Sequence, residues 1–343
     1  MLTACIQLPG SKISLESEHL VVVIPADGDE SPRETRRDIP LRDLDRMVMG
    51  AGVHATMPAL MEMMRRLIPI SFIDGQGRFL GSFQPAAPDH GAARLRHFQR
   101  TLEADFSLGI VREILAAKLY NQRRLIQRVA ANRSAENREV PGDVPYAITA
   151  LERHAAALAQ ALDIDTARGH EGIAAARYFS AWASLLPAAF PFERRSTRPP
   201  LNPVNAALSF SATLVYNEMH AFLHAHGLDA ALGLLHTTEN GRWSLALDLM
   251  EPFRSVVAEA LTLDLFSHRM LNESHFEPHG GGVYLTREGR AKLILQYEKR
   301  MDRQFMCELV GHRTTLRQQL ENQAILFKSA LDDPAKFQAF RMN

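Results

Sequence analysis

Short apolar runs separated by polar residues fill the first 85 residues of the chain. Ile13 and Leu15 alternate with polar neighbours, and residues 20–24 form a β-branched run typical of a buried strand. Further strand-like stretches lie at 38–49, 68–73 and 78–83, the last two joined by a turn that includes 74–77. Helical spacing appears only at 55–67. The pattern predicts a β-rich N-terminal domain, residues 1–85.

Helical spacing dominates the remainder of the chain. A stretch with Pro85, Pro88 and Gly91 predicts a linker at 86–92. Apolar residues then recur every three or four positions, and the predicted helices lie at 92–133, 144–163, 171–186, 203–225, 245–266 and 288–331, the last of these as one or two helices. Gly280-Gly281-Gly282 predicts a tight turn into a short strand. The fold class is therefore α+β, with a larger, all-helical C-terminal domain at 93–343.

Composition is that of an ordinary globular protein. The chain has 343 residues, 46% hydrophobic and 23% charged, which excludes disordered, collagen-like and disulfide-scaffold classes. No apolar run reaches the roughly 18 residues of a membrane helix, and the N-terminal sequence lacks the features of a secretion signal. Cys5 and Cys307 cannot form a disulfide framework or a four-thiolate zinc site, which favours a cytoplasmic location without membrane association.

Charge is unevenly distributed although the formal net charge is zero. Residues 94–133 carry nine basic and three acidic side chains, and the loop Arg194-Arg195-Ser196-Thr197-Arg198 adds three positive charges. Such segregation favours contacts with phosphate on the helical half of the chain. The alternative is that these arginines only solvate helix faces.

Two acids and one histidine form the first candidate site. Asp248 and Glu251 lie three residues apart, so a helix would carry both carboxylates on one face. Two carboxylates this close repel each other unless a cation or a shared proton relieves them. Pro252 predicts a kink beside them, and a turn after His236 could return its imidazole to the same face. The alternative is a solvated pair of acids.

Glu171 is a further candidate, placed by the pattern at the start of a helix. Glycines flank the pair His170-Glu171, and alanines follow, which would let a ligand or a second helix approach closely. The alternative is an acid in the first turn that complements the helix dipole. Two or three carboxylates with one imidazole suit Mn²⁺ or Mg²⁺ better than structural zinc.

Four blocks of sequence together resemble the CRISPR-associated endonuclease and integrase family Cas1. They are GHEGIAAARYF around Glu171, RRSTRPPLNPVNAALSF at 194–210, GLLH at 233–236 and SLALDLMEPFR at 244–254. Arg96, Gln99, Lys118, Asn121 and Gln122 fit the same resemblance. The blocks follow in order with fitting spacings, and the resemblance extends over nearly the whole chain.

The resemblance implies a specific site and activity. It implies one divalent ion, Mn²⁺ or Mg²⁺, bound by Glu171, His236 and Glu251, with Asp248 as a supporting or alternative ligand. The expected reaction joins the 3′-hydroxyl ends of spacer DNA to repeat boundaries by transesterification; with water as nucleophile the same site cuts DNA. The resemblance also implies a homodimer formed through the β domain, and a heterohexamer with the small partner Cas2 on double-stranded DNA.

Two other classes of protein remain open from the sequence. One is a DNA-binding scaffold without catalysis. The other is a helical zinc hydrolase that uses His220, His224 and His226, of which the first two lie one helical turn apart. No glutamate follows His220, so the spacing of a zinc protease is absent. Solvent-facing helix histidines are the simpler interpretation.

Overall fold

Two units with different secondary structure make up the chain. The computed structural model describes residues 3–26, 34–74, 79–83 and 91–342, and the units are Met1–Asp89 and His90–Asn343. The predicted linker lies mostly outside the described residues, as does the 75–77 part of the predicted turn; residues 91 and 92 already belong to a helix. The boundary at 85 and the dimerisation role of the first domain stay predictions.

The first unit is rich in strands, as predicted. Its elements are β1 (Thr3–Ile6), β2 (Lys12–Glu16), β3 (His19–Ile24), β4 (Thr35–Pro40), β5 (Arg46–Gly50), β6 (His54–Ala55), α1 (Met57–Arg65), β7 (Ile70–Ile73) and β8 (Phe79–Phe83). One sheet has the order β1-β5-β7-β8 and the other β4-β3-β2-β6. The apolar run at 20–24 lies in β3, where Leu20, Val21 and Val22 are buried. The stretch 38–49 is not one strand, because a 3₁₀ turn at Leu41–Asp43 separates β4 from β5.

The second unit is mainly helical, as predicted. Its helices are α2 (Gly91–Thr101), α3 (Ala104–Ala135), α4 (Asp143–Leu158), α5 (Ile164–Ser184), α6 (Pro203–Ala225), α7 (Ser244–Arg254), α8 (Ala260–Ser267), α9 (Arg287–Asp302) and α10 (Leu316–Ala330). The predicted helix 92–133 is divided in two. At the end of α2 the amides of Leu102 and Glu103 bond three residues back, to Gln99 and Arg100, which tightens and closes the turn.

Two short hairpins interrupt this helical unit. Strands β9 (Phe276–His279) and β10 (Gly282–Leu285) are joined by the glycine turn predicted at 280–282. Strands β11 (Gln304–Cys307) and β12 (His312–Thr315) lie inside the stretch predicted as helix, with Gly311 at a φ of 69°. A left-handed backbone conformation of this kind ends helical continuity and favours glycine.

The segment from α7 to α8 contains a change of helical geometry. One continuous helix was predicted at 245–266, with a kink at Pro252; a π-helical turn, Ser255–Glu259, instead separates α7 from α8. Proline has no amide hydrogen for the helical ladder, and a wider turn follows it here. Asn121 of α3 donates from Nδ2 to the carbonyl of Pro252 at 2.7 Å, so α7 is tied to α3 directly after Glu251.

Among the described residues, none of the helices combines the length and apolar character that crossing a bilayer requires.

Candidate active site

The ammonium group of Lys118 joins two glutamates from different helices. Lys118 lies on α3, Glu171 on α5 and Glu251 on α7. Nζ lies 2.6 Å from Oε1 of Glu171 and 2.5 Å from Oε2 of Glu251. The contact with Oε2 of Glu251 is a buried ion pair. Packing of three helices therefore brings both carboxylates to one cation.

Arg254 contacts the other oxygen of Glu251. Its Nη1 donates to Oε1 at 2.9 Å, one turn along α7. Burial opposes ionisation of Glu251, but the charges of Arg254 and Lys118 outweigh it and hold the pKa of Glu251 well below its usual value. Glu251 is consequently a carboxylate, although its side chain is only 2% exposed.

A third glutamate, Glu259, is buried and interacts electrostatically with Arg254. Glu259, in the π-helical turn, accepts a hydrogen bond from the hydroxyl of Tyr178 at 2.6 Å, and its carbonyl accepts one from Nε1 of Trp182 at 3.3 Å. Burial raises the pKa of Glu259 above its ordinary value, although the charge of Arg254 acts in the opposite direction. The wider turn thus places a buried acid where it also interacts with Arg254.

Asp248 holds His236 together with the backbone of the loop before α7. Its Oδ2 accepts the amide hydrogens of Leu234 at 2.6 Å and Leu235 at 2.9 Å. Its Oδ1 accepts the amide hydrogen of His236 at 3.0 Å and lies 2.6 Å from Nδ1 of the same residue. A carboxylate here requires the hydrogen on Nδ1, so the lone pair of the imidazole is on Nε2. The predicted return of this loop to α7 is confirmed.

The predicted site residues form two groups. Glu171 and Glu251 meet at Lys118, whereas Asp248 is fully buried and its bonds go to the loop at 234–236. Asp248 and Glu251 share a helix but have different partners. In the described part of the chain, no three His, Cys, Asp or Glu side chains form a group that could hold a metal ion as they stand. The three-ligand metal site therefore stays a prediction.

The sequence pattern places Glu171 at the start of a helix, but the structure does not. Helix α5 begins at Ile164, and its N-cap is Asp163, whose side chain accepts the amide hydrogen of Thr166 at 2.6 Å. Glu171 lies two turns further on, so complementing the helix dipole does not explain it. His170 beside it turns away, with Nδ1 3.2 Å from Nδ1 of His154 on α4.

Several of the basic residues proposed for phosphate contacts have partners within the chain. Lys118 pairs with Glu171 and Glu251. Nη1 of Arg195 donates to Oδ1 of Asn205 and to Oγ of Ser209, at 3.0 Å in each case. Burial lowers the pKa of Arg195 to about 10. By contrast, five exposed arginines of the stretches 94–133 and 194–198 make no side-chain hydrogen bond or ion pair with the described residues; they are Arg94, Arg124, Arg128, Arg194 and Arg198.

His220, His224 and His226 do not assemble a zinc site among the described residues. The ring of His220 stacks on Trp243 with centroids 3.5 Å apart, and burial lowers the pKa of His220 to about 4. His226 lies 3.2 Å from Glu321. These contacts engage two of the three histidines separately, so nothing here supports the alternative of a zinc hydrolase.

Sequence reasoning missed the roles of Lys118, Tyr178 and Glu259. Lys118 was grouped with surface cations because the pattern of α3 does not show which face is covered. Glu259 follows Glu251 by two helical turns. An acid in so apolar a segment of the sequence could have indicated a buried, partnered carboxyl group. No pattern in the sequence pairs it with Tyr178.

Comparison with known proteins gives a consistent family. A family model described as CRISPR associated protein Cas1 matches residues 4–299. A CRISPR-associated exonuclease Cas4/endonuclease Cas1 fusion from Rhodospirillum rubrum is 32% identical over 330 residues, covering 93% of this chain but only 54% of the fusion. The chain thus spans about half the length of that relative. A CRISPR-associated endonuclease Cas1 from Moorella thermoacetica is 32% identical over 305 residues, covering 87% of this chain and 86% of the relative.

Solved structures share the fold. A Cas1 protein from Thermotoga maritima superposes over 100% of both chains with a TM-score of 0.76 at 22% identity. A casposase bound to its integration product superposes with a TM-score of 0.81 at 17% identity, covering 100% of this chain and 96% of the casposase chain. A chain of a Cas6-RT-Cas1–Cas2 complex gives a TM-score of 0.77 at 23% identity, covering 36% of that chain.

Proposed function

Because the chain belongs to the Cas1 family, we propose that it is a divalent-metal-dependent DNA endonuclease and integrase. Its proposed reaction joins the 3′-hydroxyl ends of spacer DNA to the boundaries of a CRISPR repeat by transesterification. The observation that supports this most is the meeting of Glu171 and Glu251, from two helices, at a single cationic group. His236, oriented by Asp248, precedes the helix that carries Glu251.

The candidate residues supply donor atoms of the kinds that Mn²⁺ and Mg²⁺ prefer. Glu171 and Glu251 present two carboxylates, and one oxygen of each now contacts the ammonium of Lys118. His236 offers Nε2, because Nδ1 is held by Asp248. Two hard oxygen donors and one imidazole suit these ions. A bound divalent cation would neutralise phosphate charge and stabilise the leaving 3′-oxygen.

The other residues orient and balance this donor set. Asp248 fixes the ring of His236 and the loop that carries it, so that Nε2 keeps its lone pair. Arg254 keeps Glu251 ionised in a buried setting, and Glu259, which accepts a hydrogen bond from Tyr178, interacts electrostatically with that arginine. No side-chain nucleophile is required, since a DNA 3′-hydroxyl or a water molecule attacks the phosphate.

Exposed arginines supply candidate contacts to the DNA backbone. We assign this role to Arg124 and Arg128 on α3 and to Arg194 and Arg198 in the loop before α6, because their side chains are exposed. Each phosphate neutralised adds to the salt dependence of binding, so the affinity for duplex DNA should fall steeply as salt rises.

Partner proteins belong to the same proposal. The similar complex contains Cas2 together with Cas1, and its fold match supports an assembly of this chain with a small Cas2 partner. We propose that the chain dimerises through the N-terminal domain and joins Cas2 in a heterohexamer on double-stranded DNA.

A joining assay tests the reaction. Purified protein, with its Cas2 partner, is mixed with a short duplex bearing free 3′-hydroxyls and a supercoiled plasmid carrying the repeat, with Mn²⁺ or Mg²⁺. We expect joined product with wild type and its loss in Glu171→Ala, His236→Ala and Glu251→Ala. The exposed Glu277 of β9 provides a matched control, so Glu277→Gln should join normally. Joining by Glu171→Ala at the wild-type rate would refute the assignment.

A further inference from the structure

The ammonium of Lys118 occupies the position between the two carboxylates that the proposed metal ion would need. Its side chain is 11% exposed, and it contacts one oxygen of Glu171 and one of Glu251 at hydrogen-bonding distance or closer. Helix α3 carries it to this point from a part of the sequence far from both acids. The contact is therefore a product of the tertiary fold.

The charges of the surrounding groups make Lys118 a counter-ion. Burial disfavours its charged form, but Glu251 and Glu171 act more strongly, and the pKa of Lys118 is raised above its ordinary value. Arg254 contacts Oε1 on the other side of Glu251, and its charge also acts on Glu171, but only Lys118 lies in direct contact with both carboxylates. Without Lys118, the two carboxylates would face each other with one charge uncompensated.

We propose that Lys118 is an internal competitor of the divalent cation: metal binding displaces its ammonium group from Glu171 and Glu251, and Lys118 thereby sets the metal concentration at which the site fills. This inference rests on the metal site of the proposed function. It adds that the protein folds with a balanced site before any metal binds, and that loading is an exchange of one cation for another.

The competition follows from the atoms involved. A Mg²⁺ or Mn²⁺ ion binds carboxylate oxygens at roughly 2.0–2.2 Å, and the ammonium already lies 2.5 and 2.6 Å from the same two oxygens. Two cations cannot occupy one such position, because their mutual repulsion in a poorly solvated site is large. The flexible four-carbon stem of lysine allows its ammonium to move aside. Arg254 can stay in place, because it contacts Oε1 of Glu251 and leaves Oε2 to the metal.

Calorimetric titration with Mn²⁺ in the absence of DNA measures this exchange. We expect Lys118→Met to bind Mn²⁺ at least about tenfold more tightly than wild type. The coupling energy of a close pair of charges in a buried site exceeds the free energy that corresponds to a tenfold change in affinity. Lys118→Arg retains a cation and should bind no more tightly than wild type. Arg123→Met removes one positive charge from the same helix, at an ion pair with Glu152, and should leave the affinity unchanged.

Thermal unfolding gives a second readout without any activity measurement. Metal-free Lys118→Met should unfold at a lower temperature than wild type, and Mn²⁺ should raise its unfolding temperature by more than it raises that of wild type. If the methionine variant fails to fold, Lys118→Gln takes its place, because the amide can still donate to one carboxylate without carrying a charge.

Glu251→Gln separates failure of this inference from failure of the proposed function. If Glu251→Gln abolishes Mn²⁺ binding while Lys118→Met binds with wild-type or weaker affinity, the metal site stands and the competition is refuted. If wild type takes up no Mn²⁺, or Glu251→Gln binds as wild type does, the metal site itself is wrong and the inference falls with it.

Discussion

Replacing Asp248 by asparagine tests the account of how His236 is held. The fully buried carboxylate accepts the three amide hydrogens of residues 234–236 as well as Nδ1–H of His236. Asparagine has the same shape but presents an NH₂ group in place of one oxygen. If the remaining oxygen still accepts the amide hydrogens of Leu234 and Leu235, the NH₂ group replaces the oxygen that accepted from His236. Donor then faces donor at both the backbone N–H and the Nδ1–H of His236.

The structure sets the size of the expected effect. Two hydrogen bonds to a charged acceptor are lost, each worth roughly 1.5–3 kcal/mol, so Asp248→Asn should lower the free energy of unfolding by about 3–6 kcal/mol. The imidazole would also be driven to carry its hydrogen on Nε2. Loss of such a supporting carboxylate typically weakens metal binding 10–100-fold.

Urea denaturation and Mn²⁺ titration measure the two parts separately. Asp229 offers a matched control, since it is an exposed carboxylate in the same loop that accepts a single amide hydrogen, from Ala231. Asp229→Asn should cost less than about 1 kcal/mol and leave Mn²⁺ affinity unchanged. An Asp248→Asn protein with wild-type stability and wild-type metal affinity would refute the role given to this carboxylate.

Two further predictions concern buried ionisable side chains away from the site. Burial, opposed by the charge of Asp229, lowers the pKa of His97 to about 4, so its contribution to stability is present above the unfolded value of 6.5 and is lost as the pH falls towards 4. At pH 5 this loss is about 2 kcal/mol, and His97→Leu should flatten the decline in urea denaturation; an unchanged decline would contradict the assignment. Arg317, only 1% exposed, pairs with Glu218, Glu298 and Asp302. Arg317→Leu leaves Glu218 buried without this partner and should cost about 3–5 kcal/mol, measured at neutral pH, whereas a cost under about 1 kcal/mol would mean that the cluster contributes little.

Local signals in the sequence predict much of the helical unit. Helix α6 occupies the predicted range, 203–225, because Asn202 caps it and Pro203 fits its first turn. The start of α5 was missed although Asp163 provides a cap of the same kind. The hairpin at 304–315 was read as helix because a short apolar stretch fits either period.

The candidate site was only partly predictable, because its contacts join distant parts of the chain. Glu171, His236, Asp248 and Glu251 became candidates through residue type and spacing, and the ordered sequence blocks of the family resemblance gave them their expected roles. The separation of Asp248 from Glu251 could not be foreseen, since helical spacing places two side chains on one face but does not say which partners each one finds. Lys118 likewise acquires its role only when α3 packs between α5 and α7.

The two tryptophans of the chain have different surroundings near the candidate site. Trp182 is buried and donates to the carbonyl of Glu259, whereas Trp243 stacks on His220 and precedes the first residue of α7. Their intrinsic fluorescence therefore has two distinct origins, one in the interior and one beside the loop of His236. A variant that keeps only Trp182 would report by its fluorescence on the interior at Glu259. A variant that keeps only Trp243 would report on the surroundings of the His236 loop.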